Sequence, residues 1–138
     1  MRLALLILVA WIGISQLPAC SGTVATPVAK PPLLTWNRGD VAGWKYDLAS
    51  ADRVALYRFH DNGRVTASIG TRGPNGAVAG PVLQWRLSSK GELIISESPG
   101  GEPLTTLSLI KLNDSEAVVW DEKDSRQERY VRSKIAAD

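Results

Sequence analysis

The chain has 138 residues, 16 Lys and Arg against 14 Asp and Glu, and a formal net charge of +2. So small an excess of base gives no field that argues for nucleic acid, and the length suits one small domain. A single cysteine and a single histidine provide no intrachain disulfide framework and no Cys/His cluster for a structural metal.

In chain order, Arg2 is followed by an apolar run from Leu3 to Ile14 interrupted only by Gly13. At about 12 residues this run fits the hydrophobic stretch of a secretory signal and falls short of the ~20 that span a bilayer as a helix. It leads into Leu17-Pro18-Ala19-Cys20, where Cys20 is the one cysteine of the chain. The arrangement resembles a bacterial lipoprotein signal with its lipobox, with Pro18 standing where such signals carry a small, unconstrained residue. The resemblance implies that residues 1–19 are removed and that Cys20 becomes the lipidated first residue. Its thiol would carry a diacylglycerol and its amine a further fatty acyl chain such as palmitate. Two or more chains hold a protein stably where one gives only marginal binding. Ser21, rather than an acidic residue, follows the cysteine, which by the same analogy points to the outer rather than the inner membrane of the cell envelope, with the protein in the periplasm. Acylation would leave no thiol for catalysis, metal binding or disulfide formation.

Residues 20–35 include Pro27, Pro31 and Pro32 and have no apolar periodicity, and are expected to form a tether. Extended at ~3.1 Å per residue, such a tether reaches roughly 35–40 Å. The span 36–134 is then expected to fold, with 135–138 as a short tail.

Within that span Val41–Leu48 is expected to open a sheet. Arg53–His60, rich in Val, Leu, Tyr and Phe, is followed by Asp61-Asn62-Gly63, a hairpin signal because Asn and Gly tolerate positive φ. Arg64–Thr71 places Val65, Ala67 and Ile69 on one face and polar residues on the other, the pattern of a half-buried strand. Pro81–Leu87 repeats the alternation through Leu83, Trp85 and Leu87, and Ser88–Gly91 turns the chain into Glu92–Ser96. Leu104–Leu112 and Glu116–Trp120 flank Asn113-Asp114-Ser115, and the charged turn Asp121–Ser125 leads to Gln127–Arg132. The spacing of Arg126, Arg129 and Arg132 leaves room for a short C-terminal helix. Seven or eight short strands joined in sequence predict an all-β fold, a small antiparallel up-and-down β-barrel whose closure protects the sheet edges.

Gly43-Trp44, then Phe59 with Asp61-Asn62-Gly63-Arg64-Val65, then Trp85 with Gly91-Glu92-Leu93, then Tyr130-Val131-Arg132 form an order that resembles the small bacterial lipocalin-like lipoproteins. The likeness spans Val41 to Arg132. Lipocalins proper carry Gly-x-Trp on the first strand, whereas Gly43 and Trp44 are adjacent. The resemblance implies a barrel closed by Arg132 packing over Trp44. It also implies a non-enzymatic binding module for a small apolar ligand or an envelope protein. The alternative is a β-barrel inhibitor of a secreted or periplasmic protease. Such inhibitors insert an N-terminal strand or tail into the protease and carry a disulfide, which this chain cannot form.

In an up-and-down meander successive connections alternate between the two ends. The connections 49–52, 72–80, 97–103 and 121–125 are therefore expected at one end, with the tight turns at Asp61, Ser89 and Asn113 at the other, where the tether also arrives. The loop-rich end then faces away from the membrane, and Arg72, Asn75, Glu97 and Glu102 are the candidate contact residues. His60 reads as a strand-end residue without co-ligands. Asp121, Glu122 and Asp124, interrupted by Lys123, read as a solvated turn. Arg53, Arg58, Arg64, Arg72 and Arg86 read as outer strand faces, and Trp36, Trp44, Trp85 and Trp120 as core. No catalytic residue, metal ligand or cofactor is expected.

Overall fold

The computed structural model describes residues 29–136. Cys20, the apolar run before it, the first part of the expected tether and the last two residues lie outside that range. Nine strands follow in order: β1 (Trp44–Leu48), β2 (Arg53–Phe59), β3 (Arg64–Thr71), β4 (Val78–Ala79), β5 (Val82–Leu87), β6 (Leu93–Ser96), β7 (Pro103–Leu112), β8 (Glu116–Asp121) and β9 (Arg126–Lys134). Every pairing is antiparallel, and β1 closes on β9 from Trp44↔Lys134 to Leu48↔Tyr130. The result is a closed eight-stranded up-and-down barrel with β4 as one additional strand.

β4 continues the line of β5. Thr66 faces Val82 and Ile69 faces Ala79, so the register along β3 is unbroken. The carbonyl of Pro81 accepts from the Ala67 amide at 3.0 Å, but Pro81 has no N–H to return, and the ladder lapses there. The expected loop 72–80 is thus largely the tip of a long hairpin.

Strand alternation puts the apolar residues inside. Leu48, Ala55, Val65, Ala67, Leu83, Leu93, Ile95, Leu107, Leu109, Ala117 and Val119 belong to one buried cluster with the rings of Trp36, Tyr46, Tyr57, Phe59, Trp85 and Tyr130. Trp36, Tyr46, Phe59 and Trp85 form a chain of edge-to-face contacts with centroids 5.8–5.9 Å apart, the arrangement ring quadrupoles favour.

Some strand and helix expectations need correction. Val41 lies in a one-turn helix, α1 (Arg38–Val41), and β1 begins only at Trp44, after Gly43 at φ +82°. Arg126, Arg129 and Arg132 lie on β9, not on a helix; a spacing of three puts Arg129 outside and Arg132 inside. Ile69 shares the inward parity of Val65 and Ala67 yet is 38% exposed, because it stands at the barrel mouth beside the exposed β4. Trp120 is buried but follows inward Val119, so its side chain belongs to the outer face and is absent from the core cluster.

The chain before α1 is bound to the barrel wall. β6 is short and pairs with β7 only as far as Leu107, which would leave the Leu109 carbonyl open. Leu34 donates its amide to that carbonyl at 2.7 Å, and the Trp36 amide donates to Gly91 O at 2.9 Å. The Trp36 indole also donates to Leu107 O at 2.9 Å. The chain then crosses the barrel end, with Arg38 donating to Asp61 O and Gly43 N to Phe59 O at 2.8 Å. It therefore reaches β1 at the end that holds the tight turns.

Candidate functional site

The connections β1–β2, β3–β4, β6–β7 and β8–β9 share one end of the barrel, and β2–β3, β5–β6 and β7–β8 share the other. Arg72, Asn75, Glu97 and Glu102 are all exposed in connections at the first, loop-rich end. Among the described residues their side chains take no hydrogen bond or ion pair within the chain, which leaves them available to a partner.

The mouth at this end holds a polar group that alternation alone did not reveal. Glu128 is 6% exposed and accepts from Arg53 Nη1 at 2.8 Å, Arg126 Nε at 2.8 Å and Tyr130 Oη at 3.0 Å. Burial pushes the Glu128 carboxyl up, but the hydrogen bonds from Arg53, Arg126 and Tyr130 together hold it below its ordinary range. Asp121, also buried, is raised by desolvation although its Oδ1 accepts from the amides of Lys123 and Asp124 at 2.9 and 3.2 Å. Burial raises the phenol of Tyr57 to about 12 and that of Tyr130 well above its usual value, so both remain neutral, and Tyr130 donates to Glu128. Arg53 was expected on the outer face. It points into the mouth because its β2 neighbours Ala55 and Tyr57 do. The signal available in the sequence was the shared parity of Glu128 with Tyr130 and Arg132; a polar residue on an inward face reads as the outer face when only periodicity is used.

Oxygens of Asp121, Asp124 and Glu128 lie within 4.8 Å of one another, but Glu128 is taken by two arginines and Asp121 by two amides. The carboxylates are thus engaged by their own neighbours, Asp124 by Arg126 as well at 3.0 Å. Glu122 of the acidic turn is elsewhere: it accepts from Ser108 Oγ at 2.8 Å and from Lys30 Nζ on the outer wall.

The interior is filled. The void among Trp36, Tyr46, Phe59, Leu93 and their neighbours amounts to about 10 Å³, about the volume that admits a single water. Ligand cavities run to roughly 300 Å³ and above.

At the opposite end Arg132 lies over Trp44, its guanidinium carbon 3.5 Å from the ring centroid and 5.6 Å from that of Tyr46. Its Nη1 donates to Asn113 O at 3.0 Å, while its Nε is buried without a partner. The two residues thus join β1 to β9 across the seam that closes the barrel. His60, in the β2–β3 turn, has Nε2 3.4 Å from Thr66 Oγ1. Among the other arginines, Arg86 donates to Ser96 Oγ at 3.2 Å and Gly101 O at 3.0 Å, and Arg58 and Arg64 are exposed.

Comparison of the chain with protein-family models, with curated proteins and with solved structures found no match.

Proposed function

We propose that the protein is a lipid-anchored lipoprotein of the bacterial cell envelope, held to the outer membrane through Cys20. Its lipocalin-like barrel acts without catalysis by binding an envelope protein at the loop-rich end. The observation that carries this reading is the filled interior: a void of about 10 Å³ has no room for an apolar ligand, so recognition falls to the surface. Arg72, Asn75, Glu97 and Glu102 supply exposed polar groups at one end, on loops held by a rigid scaffold. The protease-inhibitor alternative draws less support, because residues from Lys30 to Trp36 are bonded to the barrel instead of standing clear for insertion.

Two experiments test the reading. Metabolic labelling with a palmitate analogue should mark the protein, and Cys20→Ser should abolish the label and release the protein from the membrane fraction. A photo-crosslinking side chain at Asn75 or Glu102 should trap an envelope protein in cells, and one at Ser89 should not. A hydrophobic molecule bound one per chain in native mass spectra would overturn the surface-binding reading.

A further inference from the structure

The tight-turn end carries a second concave surface, on the wall formed by β9, β1 and β2. It encloses about 430 Å³ between Lys45, Arg58, His60, Lys134, Ile135 and Ala136. Three of its six lining residues are basic, a fourth is the only histidine, and none is a carboxylate. We propose that this cleft is a binding site for a phosphate-bearing anion, with Lys45, Arg58 and Lys134 as the charged ligands and His60 as an added hydrogen-bonding group.

The pairing makes the cluster informative. Lys45 stands directly opposite Arg58 in the β1–β2 ladder, and like charges at such positions oppose the pairing of their strands. Five cations of the barrel are paired, Arg53 and Arg126 with Glu128, Lys111 and Arg129 with Glu116 and Lys30 with Glu122; what sets this cleft apart is that three unpaired ones line a single concavity. Among the described residues Lys45, Arg58 and Lys134 make no ion pair. Lys134 instead stands with Nζ 4.0 Å from the Trp44 ring centroid, a contact that positions the ammonium without cancelling its charge. Arg58 and Lys134 are exposed and Lys45 half-buried, so all three reach solvent. A guanidinium beside two ammonium groups suits a tetrahedral oxyanion, which accepts a bidentate fork and point-charge donors together.

Phosphate of this kind comes from a lipid headgroup or from a small soluble molecule. The site itself stands apart from the anchor; the headgroup source rests on the lipid-anchored reading, which places the turn end towards the membrane.

The test uses the full chain purified in detergent and followed by amide chemical shifts, with the mass of the same sample reporting whether Cys20 is acylated. The probes are inorganic phosphate, dihexanoyl-phosphatidylglycerol and dihexanoyl-phosphatidylcholine. Shifts concentrated at Lys45, Arg58 to His60 and Lys134 to Ile135 are expected with a phosphate probe. The double variant Lys45→Ser, Arg58→Ser should weaken that binding at least tenfold, and Lys90→Ser, Lys111→Ser, which removes the same charge elsewhere, should not. A response to phosphatidylglycerol that inorganic phosphate does not reproduce identifies a headgroup site, and the reverse identifies a soluble phosphate. Absence of localised shifts with all probes, or equal weakening in both double variants, overturns the proposal. An unacylated but anion-binding chain would sink only the anchor.

Discussion

The two ends of the barrel handle their inward-facing charges in opposite ways. At the loop-rich end the inward charges neutralise one another: Glu128 is held by Arg53 and Arg126 within a mouth that also contains Tyr57, Tyr130 and Asp121. At the tight-turn end the inward Arg132 faces the rings of Trp44 and Tyr46 without a carboxylate, and Lys45, Arg58 and Lys134 stand outside without an ion pair among the described residues. Both ends belong to the same ladder, so the fold did not require this difference. Charges inside the mouth are spent on structure; at the turn end Lys111 and Arg129 are paired with Glu116, while Lys45, Arg58 and Lys134 remain open to something outside the chain.

The sharpest way to break this contrast is to remove the acceptor at the mouth. Glu128→Ala leaves Arg53 and Arg126 facing each other and Tyr130 without its acceptor. Loss of one partner from a buried pair costs ~3–5 kcal/mol, but both arginines keep partial contact with water, so a loss of about 2 kcal/mol is expected in denaturant melts. A loss no larger than that of an exposed Glu102→Ala would mean that the mouth is held by its rings alone.

The same groups give a pH signature. Glu128 has a folded-state pKa below its unfolded value, so its contribution is present above the ordinary Glu range and is lost as the pH falls through that range and below. Asp121 is raised by burial, so its ionised form costs stability near neutrality and that cost disappears as the pH falls towards its elevated pKa. Stability should therefore rise slightly on mild acidification and then fall below about pH 4. Glu128→Gln should flatten the acid fall, and Asp121→Asn the mild rise, in chemical denaturation repeated across pH.

Arg132 offers a comparable test at the other end. Arg132→Ala removes the cation over Trp44 and the bond to Asn113 O, each worth ~1 kcal/mol, and a loss of roughly 1.5–2 kcal/mol is expected. Arg132→Lys should recover little, since an ammonium cannot lie flat on the indole and reach Asn113 as well. Arg132→Met, similar in length and without the unpaired Nε, should lie closer to the parent than Ala does. Full recovery by Lys would show that charge matters there and the planar stack does not.

Much of this architecture was legible in the residues. Period-two alternation around Asn62-Gly63, Lys90-Gly91 and Asn113 marks strand and turn positions directly, and the parity of the connections follows from their order. Trp44 and Arg132 could be paired only through resemblance, because nothing local links residues on the first and last strands. The mouth cluster was hidden because Arg53 and Glu128 are polar on inward positions, where periodicity assigns them outside. The tether was misjudged for a related reason: Lys30 to Trp36 lacks a pattern of its own, and its order comes from a carbonyl left open by short β6. On the proposed attachment at Cys20, ten residues from Cys20 to Ala29 lead to Lys30, a reach of at most ~36 Å.

The smallest predicted effect is the one that separates the two ends most cleanly. If Lys45 and Arg58 are kept for a ligand at some expense to strand pairing, Lys45→Thr should stabilise the barrel by about 0.5 kcal/mol, through relief of the like-charge contact and a side chain that suits a strand. The gain should shrink in high salt, where the repulsion is already screened. Lys111→Thr, which gives up an exposed contact to Glu116 at 3.5 Å, supplies the reference and should lose a few tenths of a kcal/mol or nothing. A gain at position 45 with no gain at 111 ties the cost to this cleft, where net charge alone would act on both. No gain at 45 would mean that the opposed cations are already kept apart by solvent, and the case for an anion site would then rest on the shape and lining of the cleft.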